Sequence, residues 1–124
     1  MKDESIVEKA ISYIENHLNE DLSLDELAKN LHYSKFYLER VFAENLDCTV
    51  YRYVKERRLT EAARKLMETD KPIVEIALEA RYSTQQAFTL AFRKRYLCTP
   101  QDYRKKSLSH SVISCYTMQR RLAA

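Results

Sequence analysis

The side chains that could carry out catalysis or bind a metal are scattered along this chain. The three histidines lie far apart, and no Ser-His-Asp arrangement or paired acid and base is visible. Cys48, Cys98 and Cys115 lack the close spacing of zinc sites or redox motifs, and the chain contains no glycine for a phosphate-binding loop. The sequence therefore predicts no enzyme activity, metal or cofactor, and we expect the three cysteines to be buried thiols.

Basic side chains, in contrast, are grouped. Residues 1–34 contain three lysines against eight acidic residues, whereas the remainder contains 18 basic against 10 acidic residues. The basic residues of this second part form three clusters: Lys55-Arg57-Arg58, Arg93-Lys94-Arg95 and Arg104-Lys105-Lys106. Such clusters suggest a polyanion as partner, although a run of charges is also common on an ordinary solvated face. Composition alone leaves both interpretations open.

One long amphipathic stretch, from Thr49 to Thr69, connects two similar halves of the chain. Its apolar residues recur at helical spacing, and charged residues, Lys65 among them, are expected to fill the opposite side. Nothing inside the stretch breaks a helix. At 1.5 Å rise per residue the helix would be ~30 Å long, close to the ~34 Å repeat of one turn of duplex DNA.

The half before the connector is typical of a helix-turn-helix. A helical stripe of apolar residues predicts a first helix from about Glu4 to Asn19. Ser23 fits a capping box before a short second helix, and Ser34 can cap a third helix that runs to about Asn45. Two short helices joined by a tight turn form this motif.

The half after the connector repeats the pattern. Pro72 suits the start of a short helix, and Ser83 or Thr84 can cap a longer one that ends near Tyr96. Pro100 opens a last helical segment that reaches about Lys106. The tail, residues 107–124, has a weak apolar pattern that fits either a terminal helix or a disordered segment.

The two halves also match residue by residue, at an offset of 49 and then of 50. The matched pairs are Leu27 and Ile76, Ala28 and Ala77, Tyr33 and Tyr82, Ser34 and Thr84, Leu38 and Phe88, Phe42 and Phe92, Cys48 and Cys98, Thr49 and Thr99, and Tyr53 and Tyr103. Any two amphipathic helix pairs look somewhat alike, but the shared Cys-Thr pair favours duplication of one motif. The helices Lys35–Asn45 and Gln85–Tyr96 should therefore be equivalent and could enter successive major grooves of DNA.

These motifs resemble the DNA-binding module of the AraC/XylS family. The resemblance rests on residues 33–42, 73–77, 83–88 and 99–104, which occur together in order, and it covers about Ile6 to Lys105. It implies an all-α fold of about seven helices in residues 1–106. The first helix-turn-helix subdomain would span about 5–48, the linker helix about 49–69 and the second subdomain about 70–106. The absence of a large extra domain makes the chain most similar to the short members of the family.

The resemblance assigns base contacts to the two recognition helices. On the first helix they fall on Phe36, Glu39 and Arg40, where arginine suits guanine, glutamate suits cytosine N4 and phenylalanine suits a thymine methyl. On the second helix they fall on Gln85, Gln86, Thr89 and Leu90, and the arginine usual in the family is absent at Leu90. Phe36 could instead be a packing residue, and the glutamines could be ordinary exposed residues. Phosphate contacts are expected at Lys35, Thr49, Thr84, Thr99 and Arg104.

The absence of glycine affects the expected backbone of the turns between helices. The family often has glycine at the positions held here by His32, Asp47, Arg81 and Leu97, and a left-handed backbone costs roughly 1 kcal/mol or more for leucine. We expect the fold to tolerate this cost. The six tyrosines at the following positions are expected to be core residues: Tyr13, Tyr33, Tyr51, Tyr53, Tyr82 and Tyr103.

The expected partners follow from the resemblance. It implies a regulator, expected to be an activator, that binds double-stranded DNA as a monomer and contacts RNA polymerase. The absence of a membrane span and of a secretory signal, together with the cysteine usage, predicts a cytoplasmic, nucleoid-associated protein. A rival hypothesis is a helical adaptor that binds RNA polymerase or another regulator without touching DNA, because the acidic residues near the amino terminus fit such a surface equally well.

Overall fold

Seven α-helices make up the regular structure of residues 2–106, the part of the chain that the computed structural model describes. They are α1 (Lys2–Asn16), α2 (Leu24–Leu31), α3 (Lys35–Leu46), α4 (Val50–Glu68), α5 (Ile73–Glu79), α6 (Gln85–Tyr96) and α7 (Pro100–Lys106). The described part contains no strand, so the predicted all-α class and the number of helices are confirmed. The predictions for Cys115 and for the tail lie outside the described residues. None of the described helices is both long and apolar enough to cross a bilayer.

The chain divides into two compact units, and the division falls inside α4, between Arg58 and Leu59. The first unit contains α1, α2, α3 and the first turns of α4. Its core is built from apolar residues spaced along one face of each of these helices, together with Leu18 from the segment after α1. The helical members are Ile6, Ala10, Ile14, Leu27, Ala28, Leu38, Phe42, Val50 and Val54. Two arginines tie α4 to the last turn of α1 and to the segment that follows it. Arg57 makes two hydrogen bonds of 2.6 and 2.7 Å to the Glu15 carboxylate, and Arg58 donates to the carbonyl oxygens of Leu18 and Glu20.

The second unit begins at Leu59 and contains the remainder of α4 with α5, α6 and α7. Its core has the same construction: Leu59, Ala62, Ala63, Leu66, Ile76, Ala77, Ala80, Phe88, Phe92, Tyr96, Cys98 and Tyr103. Arg104 on α7 donates to the carbonyl oxygens of Leu66 and Thr69, at 3.0 and 3.2 Å. These bonds satisfy acceptors at the carboxyl end of α4, where helical carbonyls lack partners within the helix.

The equivalence of the two halves extends to aromatic geometry. Phe42 meets Tyr53 edge to face with ring centroids 5.7 Å apart and planes at 77°, and Phe92 meets Tyr103 at 5.4 Å and 78°. Edge-to-face packing is a preferred arrangement of aromatic rings. The same matched residues therefore make the same contact in each unit, as duplication of one motif predicts.

Four turn residues adopt the left-handed backbone conformation, which is costly for residues other than glycine. His32, Asp47, Arg81 and Leu97 all have φ between 56° and 70°. Asp47 and Leu97 close α3 and α6, and their amides donate to the carbonyl oxygens four residues earlier. At these four positions, where the AraC/XylS family often has glycine, residues other than glycine thus adopt the left-handed conformation.

Three expectations about particular residues were wrong. Helix α1 ends at Asn16 and not at Asn19, because the amide of His17 bonds to the Ile14 carbonyl three residues back and its Nδ1 lies 2.7 Å from the Tyr13 carbonyl oxygen. Tyr51 is 75% exposed and Tyr33 is 37% exposed, so neither of these two tyrosines is a core residue. Lys65 is only 8% exposed, because its Nζ reaches the Glu79 carboxylate on α5 at 2.7 Å.

Candidate nucleic-acid interface

Helices α3 and α6 are each 12 residues long and begin at equivalent caps. The Ser34 hydroxyl accepts a hydrogen bond from the Tyr37 amide at 3.1 Å, and the Thr84 hydroxyl accepts one from the Ala87 amide at 3.0 Å. A hydroxyl at this position satisfies an amide that the helix leaves without a partner. The caps therefore fix where each helix starts, and the spacing of the buried residues fixes which of its faces points away from the core.

The exposed face of α3 carries two of the three side chains on this helix that are predicted to read bases. Leu38, on the opposite face, is completely buried. Phe36 is 79% exposed, which argues against its alternative interpretation as a packing residue. Arg40 is also exposed, and its guanidinium carbon lies 5.1 Å from the centroid of the Tyr37 ring. A cation over an aromatic face is attracted by the ring quadrupole, so Tyr37 holds the guanidinium at one place on the helix surface.

Glu39 has a partner that the sequence reasoning missed. One of its carboxylate oxygens accepts a hydrogen bond of 2.8 Å from the backbone amide of Val50, the first residue of α4. The side chain is half-buried, whereas Phe36 and Arg40 are exposed. Reading cytosine N4 would require the second carboxylate oxygen or release of this bond, so the base contact of Glu39 stays a prediction.

The exposed face of α6 is uncharged in its first two turns and basic in its last. Gln85, Gln86 and Leu90 are exposed, and Thr89 is half-buried. Phe88 on the inner face is completely buried and packs against Phe92 and Tyr82. The base contacts of the two glutamines stay a prediction that their exposure allows, and Leu90 has only apolar atoms to offer.

The residues predicted to meet phosphates fall into two groups. Lys35 is about half exposed, and its ammonium lies 3.5 Å from the exposed carboxylate of Asp25. Such an exposed pair contributes little, so the lysine remains available to an anion. Arg104 is engaged differently, because its guanidinium already binds the two carbonyl oxygens at the end of α4. A phosphate contact of Arg104 would have to form alongside these bonds or in competition with them.

The threonines predicted to meet phosphates are all helix caps. Thr49 and Thr99 accept hydrogen bonds of 3.0 Å from the amides of Arg52 and Asp102, as Thr84 does from that of Ala87. Each hydroxyl keeps its own hydrogen, which can be donated to a phosphate oxygen. At Thr49 this hydroxyl lies beside the amide that Glu39 already occupies. A phosphate contact at the start of α4 would therefore depend on the Thr49 hydroxyl more than on the backbone amides.

The basic clusters are not equally available. In α6 both Arg93 and Lys94 are exposed at the carboxyl-terminal turn. In α4 the guanidinium groups of Arg57 and Arg58 are bonded within the first unit. The cluster on α6 is therefore more accessible to a polyanion than the cluster on α4. Among residues 2–106, no group of three or more histidine, cysteine or acidic side chains is placed to hold a metal ion.

Comparison with known proteins gives consistent matches. A family model described as a helix-turn-helix domain matches residues 27–106. The regulatory protein SoxS of Escherichia coli strain K12 is 38% identical over 106 residues, which cover 86% of this chain and 99% of SoxS. The probable transcription factor PqrA of Proteus vulgaris is 37% identical over 119 residues, covering 92% and 98% of the two chains. The transcriptional regulator Rob of Salmonella typhimurium is 38% identical, but the match covers only 37% of that longer protein.

Solved structures agree with the sequence matches. A transcriptional regulator of Chromobacterium violaceum with an AraC-type DNA-binding domain superposes with a TM-score of 0.82 at 30% identity, over 86% of this chain and 96% of that one. The DNA-binding domain of AdpA, solved in complex with a target DNA, superposes with a TM-score of 0.72 over 78% and 87% of the two chains. Its 22% identity makes this second likeness one of fold alone.

Proposed function

The chain belongs to the AraC-type family of helix-turn-helix, DNA-binding transcription regulators, and we propose that it reads its site by inserting α3 and α6 into adjacent major grooves. The observation that carries this proposal is the pair of equally capped, 12-residue helices, each burying one face and exposing the other. Exposed side chains on both helices have hydrogen-bonding or apolar groups that match base edges.

We propose a division of labour between the residues of the two helices. Phe36, Arg40, Gln85 and Gln86 read bases, supported by their exposure, with Thr89 as a further contact. Their chemistry predicts a guanine opposite Arg40 and adenines opposite the glutamines. The site would cover about 20 base pairs and would be bent, or selected for easy bending, so that both helices reach their grooves.

The backbone contacts would position the protein without reading sequence. Lys35 carries the main charge, the hydroxyls of Thr49, Thr84 and Thr99 donate to phosphate oxygens, and Arg104 adds a positive charge on α7. We further propose that the chain acts as a monomer in the cytoplasm and activates transcription by contacting RNA polymerase. The support for these last points is the similarity to SoxS, a regulatory protein that this chain matches over 99% of that protein's length.

A salt-dependent mobility shift on random duplex DNA tests whether the protein binds DNA. Phosphate contacts make non-specific binding weaken linearly on a log-log plot against salt. We expect weak binding without any particular site, with a clear negative slope. Absence of binding at low salt would instead favour an adaptor that touches no DNA, and would overturn the proposal.

The same measurement tests the role of Lys35. The variant Lys35→Gln should weaken binding to all sequences alike and reduce the magnitude of the salt slope by about one, because one phosphate contact is lost. Lys29 is a matched control, since it is an exposed lysine in the last turn of α2 that is not expected to meet DNA. An equal effect of Lys29→Gln would show that only net charge matters.

A further inference from the structure

The starts of α4 and α7 are equivalent in the repeat but are built in two different ways. In the first unit the residue after the Thr49 cap is Val50, whose amide donates to the Glu39 carboxylate at 2.8 Å. In the second unit the residue after the Thr99 cap is Pro100, which has no amide hydrogen. The first amide of a helix has no partner within the helix, and proline suits this position for that reason.

The two units also differ at the position of Glu39 on the recognition helix. At an offset of 50, Glu39 corresponds to Thr89 and Val50 corresponds to Pro100. In the first unit, the carboxylate of Glu39 occurs together with the Val50 amide, which needs an acceptor. In the second unit, the short uncharged Thr89 occurs together with Pro100, which has no amide hydrogen to donate. Both Val50 and Pro100 are buried, so the two residues fill comparable apolar places.

From this pairing we propose that Glu39 is a positioning residue, which joins α3 to the start of α4 through the Val50 amide and does not read a base. The inference rests on the proposed DNA-binding function and refines it. The hydrogen bond links two residues 11 positions apart on successive helices of one unit. Loss of this hydrogen bond would weaken the attachment of α3 to the start of α4. The exposed side chains on α3 would then be held less firmly in place. Sequence reading by the first unit then falls to Phe36 and Arg40.

A double-mutant cycle tests the structural part. Glu39→Thr should lower the Tm by roughly 5 °C in the parent chain, because the buried Val50 amide loses its acceptor. In a Val50→Pro background the same change should alter the Tm by less than about 2 °C, since no amide remains to be satisfied. The double variant reproduces the pairing of the second unit. Equal effects of Glu39→Thr in both backgrounds would overturn the proposal.

Amide hydrogen exchange provides a second measurement that does not need the proline variant. The Val50 amide should stay protected in Glu39→Gln, whose side-chain oxygen can still accept, and exchange at least about tenfold faster in Glu39→Thr. Equal protection of this amide in both variants would show that Glu39 does not hold it.

Selection of bound sequences from a random duplex pool tests the functional part. Glu39→Gln should select the same bases as the parent, because glutamine keeps the acceptor for Val50. Arg40→Ala serves as a positive control and should lose one base preference. A changed base at one position with Glu39→Gln would mean that Glu39 reads DNA and would overturn the inference. Failure of the parent chain itself to bind DNA would instead refute the proposed function, so the two failures are distinguishable.

Discussion

Replacing Arg40 should remove the strongest single base contact of the first unit. The guanidinium is exposed on α3 and is held over the Tyr37 ring at 5.1 Å from its centroid. A bidentate contact of arginine with guanine discriminates against other bases by about 1 to 3 kcal/mol. Arg40→Ala should therefore weaken binding to the preferred site by about 5- to 150-fold and make the four bases at that position nearly equivalent.

The neighbouring ring allows a finer test of the same geometry. A cation over an exposed aromatic ring is worth about 0.5 to 1 kcal/mol, so Tyr37→Leu should weaken specific binding by about two- to fivefold. Tyr37→Phe keeps the ring and should change binding little. Since the Tyr37 ring also packs against the first core, the thermal stability of each variant must be measured alongside its affinity.

Fluorescence anisotropy is a suitable assay for both residues. Each variant is titrated with a duplex that carries the preferred site and with three duplexes in which the base opposite Arg40 is changed. We expect the spread of affinities across the four duplexes to collapse for Arg40→Ala and to narrow for Tyr37→Leu. An unchanged spread for Arg40→Ala would refute the assigned orientation of α3.

Two further predictions concern stability. Leu97→Gly should stabilise the chain by about 0.5 to 1 kcal/mol in urea denaturation, because relief of the left-handed strain at φ 64° exceeds the entropic cost of glycine. Asp47→Gly is the control and should gain less, since aspartate tolerates this backbone; an equal gain would contradict the strain argument. Hydrogen bonds from Lys65 and Lys71 lower the pKa of the Glu79 carboxyl, so the stability it contributes is present above the ordinary glutamate pKa and is lost as pH falls through the lowered value. Glu79→Gln should lower stability by about 2 kcal/mol at pH 7, because charge-assisted hydrogen bonds are lost, and should flatten the decline in stability at pH values below the ordinary glutamate pKa; an unchanged acid profile in thermal melts would show that Glu79 is uninvolved.

Features that depend on neighbours in sequence were predictable from the sequence. The caps at Ser23, Ser34 and Thr84 accept from the amides three residues on, as the residue types indicate. The buried faces of α3 and α6 follow from apolar residues at helical spacing, and Leu38 and Phe88 are both completely buried. Helical geometry alone relates these positions, so no knowledge of the tertiary structure was needed.

Features that depend on contacts between helices were not predictable. Lys65 has the sequence environment of an exposed residue, and it is buried because Glu79, on another helix, supplies its counter-charge. Arg104 looks like a phosphate ligand, but its guanidinium binds carbonyl oxygens more than 30 residues earlier in the chain. The partner of Glu39 could have been suspected from the change of Val50 to Pro100 in the repeat. A charged side chain alone does not reveal whether it binds DNA or its own fold.

Selection of bound sequences by the parent chain, followed by selection with Arg40→Ala and with Gln85→Ala/Gln86→Ala, tests the central claim most directly. Two helices that read adjacent grooves should enrich two separate conserved segments about one helical turn, or roughly 10 base pairs, apart. Arg40→Ala should erase a preference in one segment and leave the other, and the glutamine variant should do the reverse. Enrichment of a single segment, or loss of both segments in either variant, would contradict two independent reading helices.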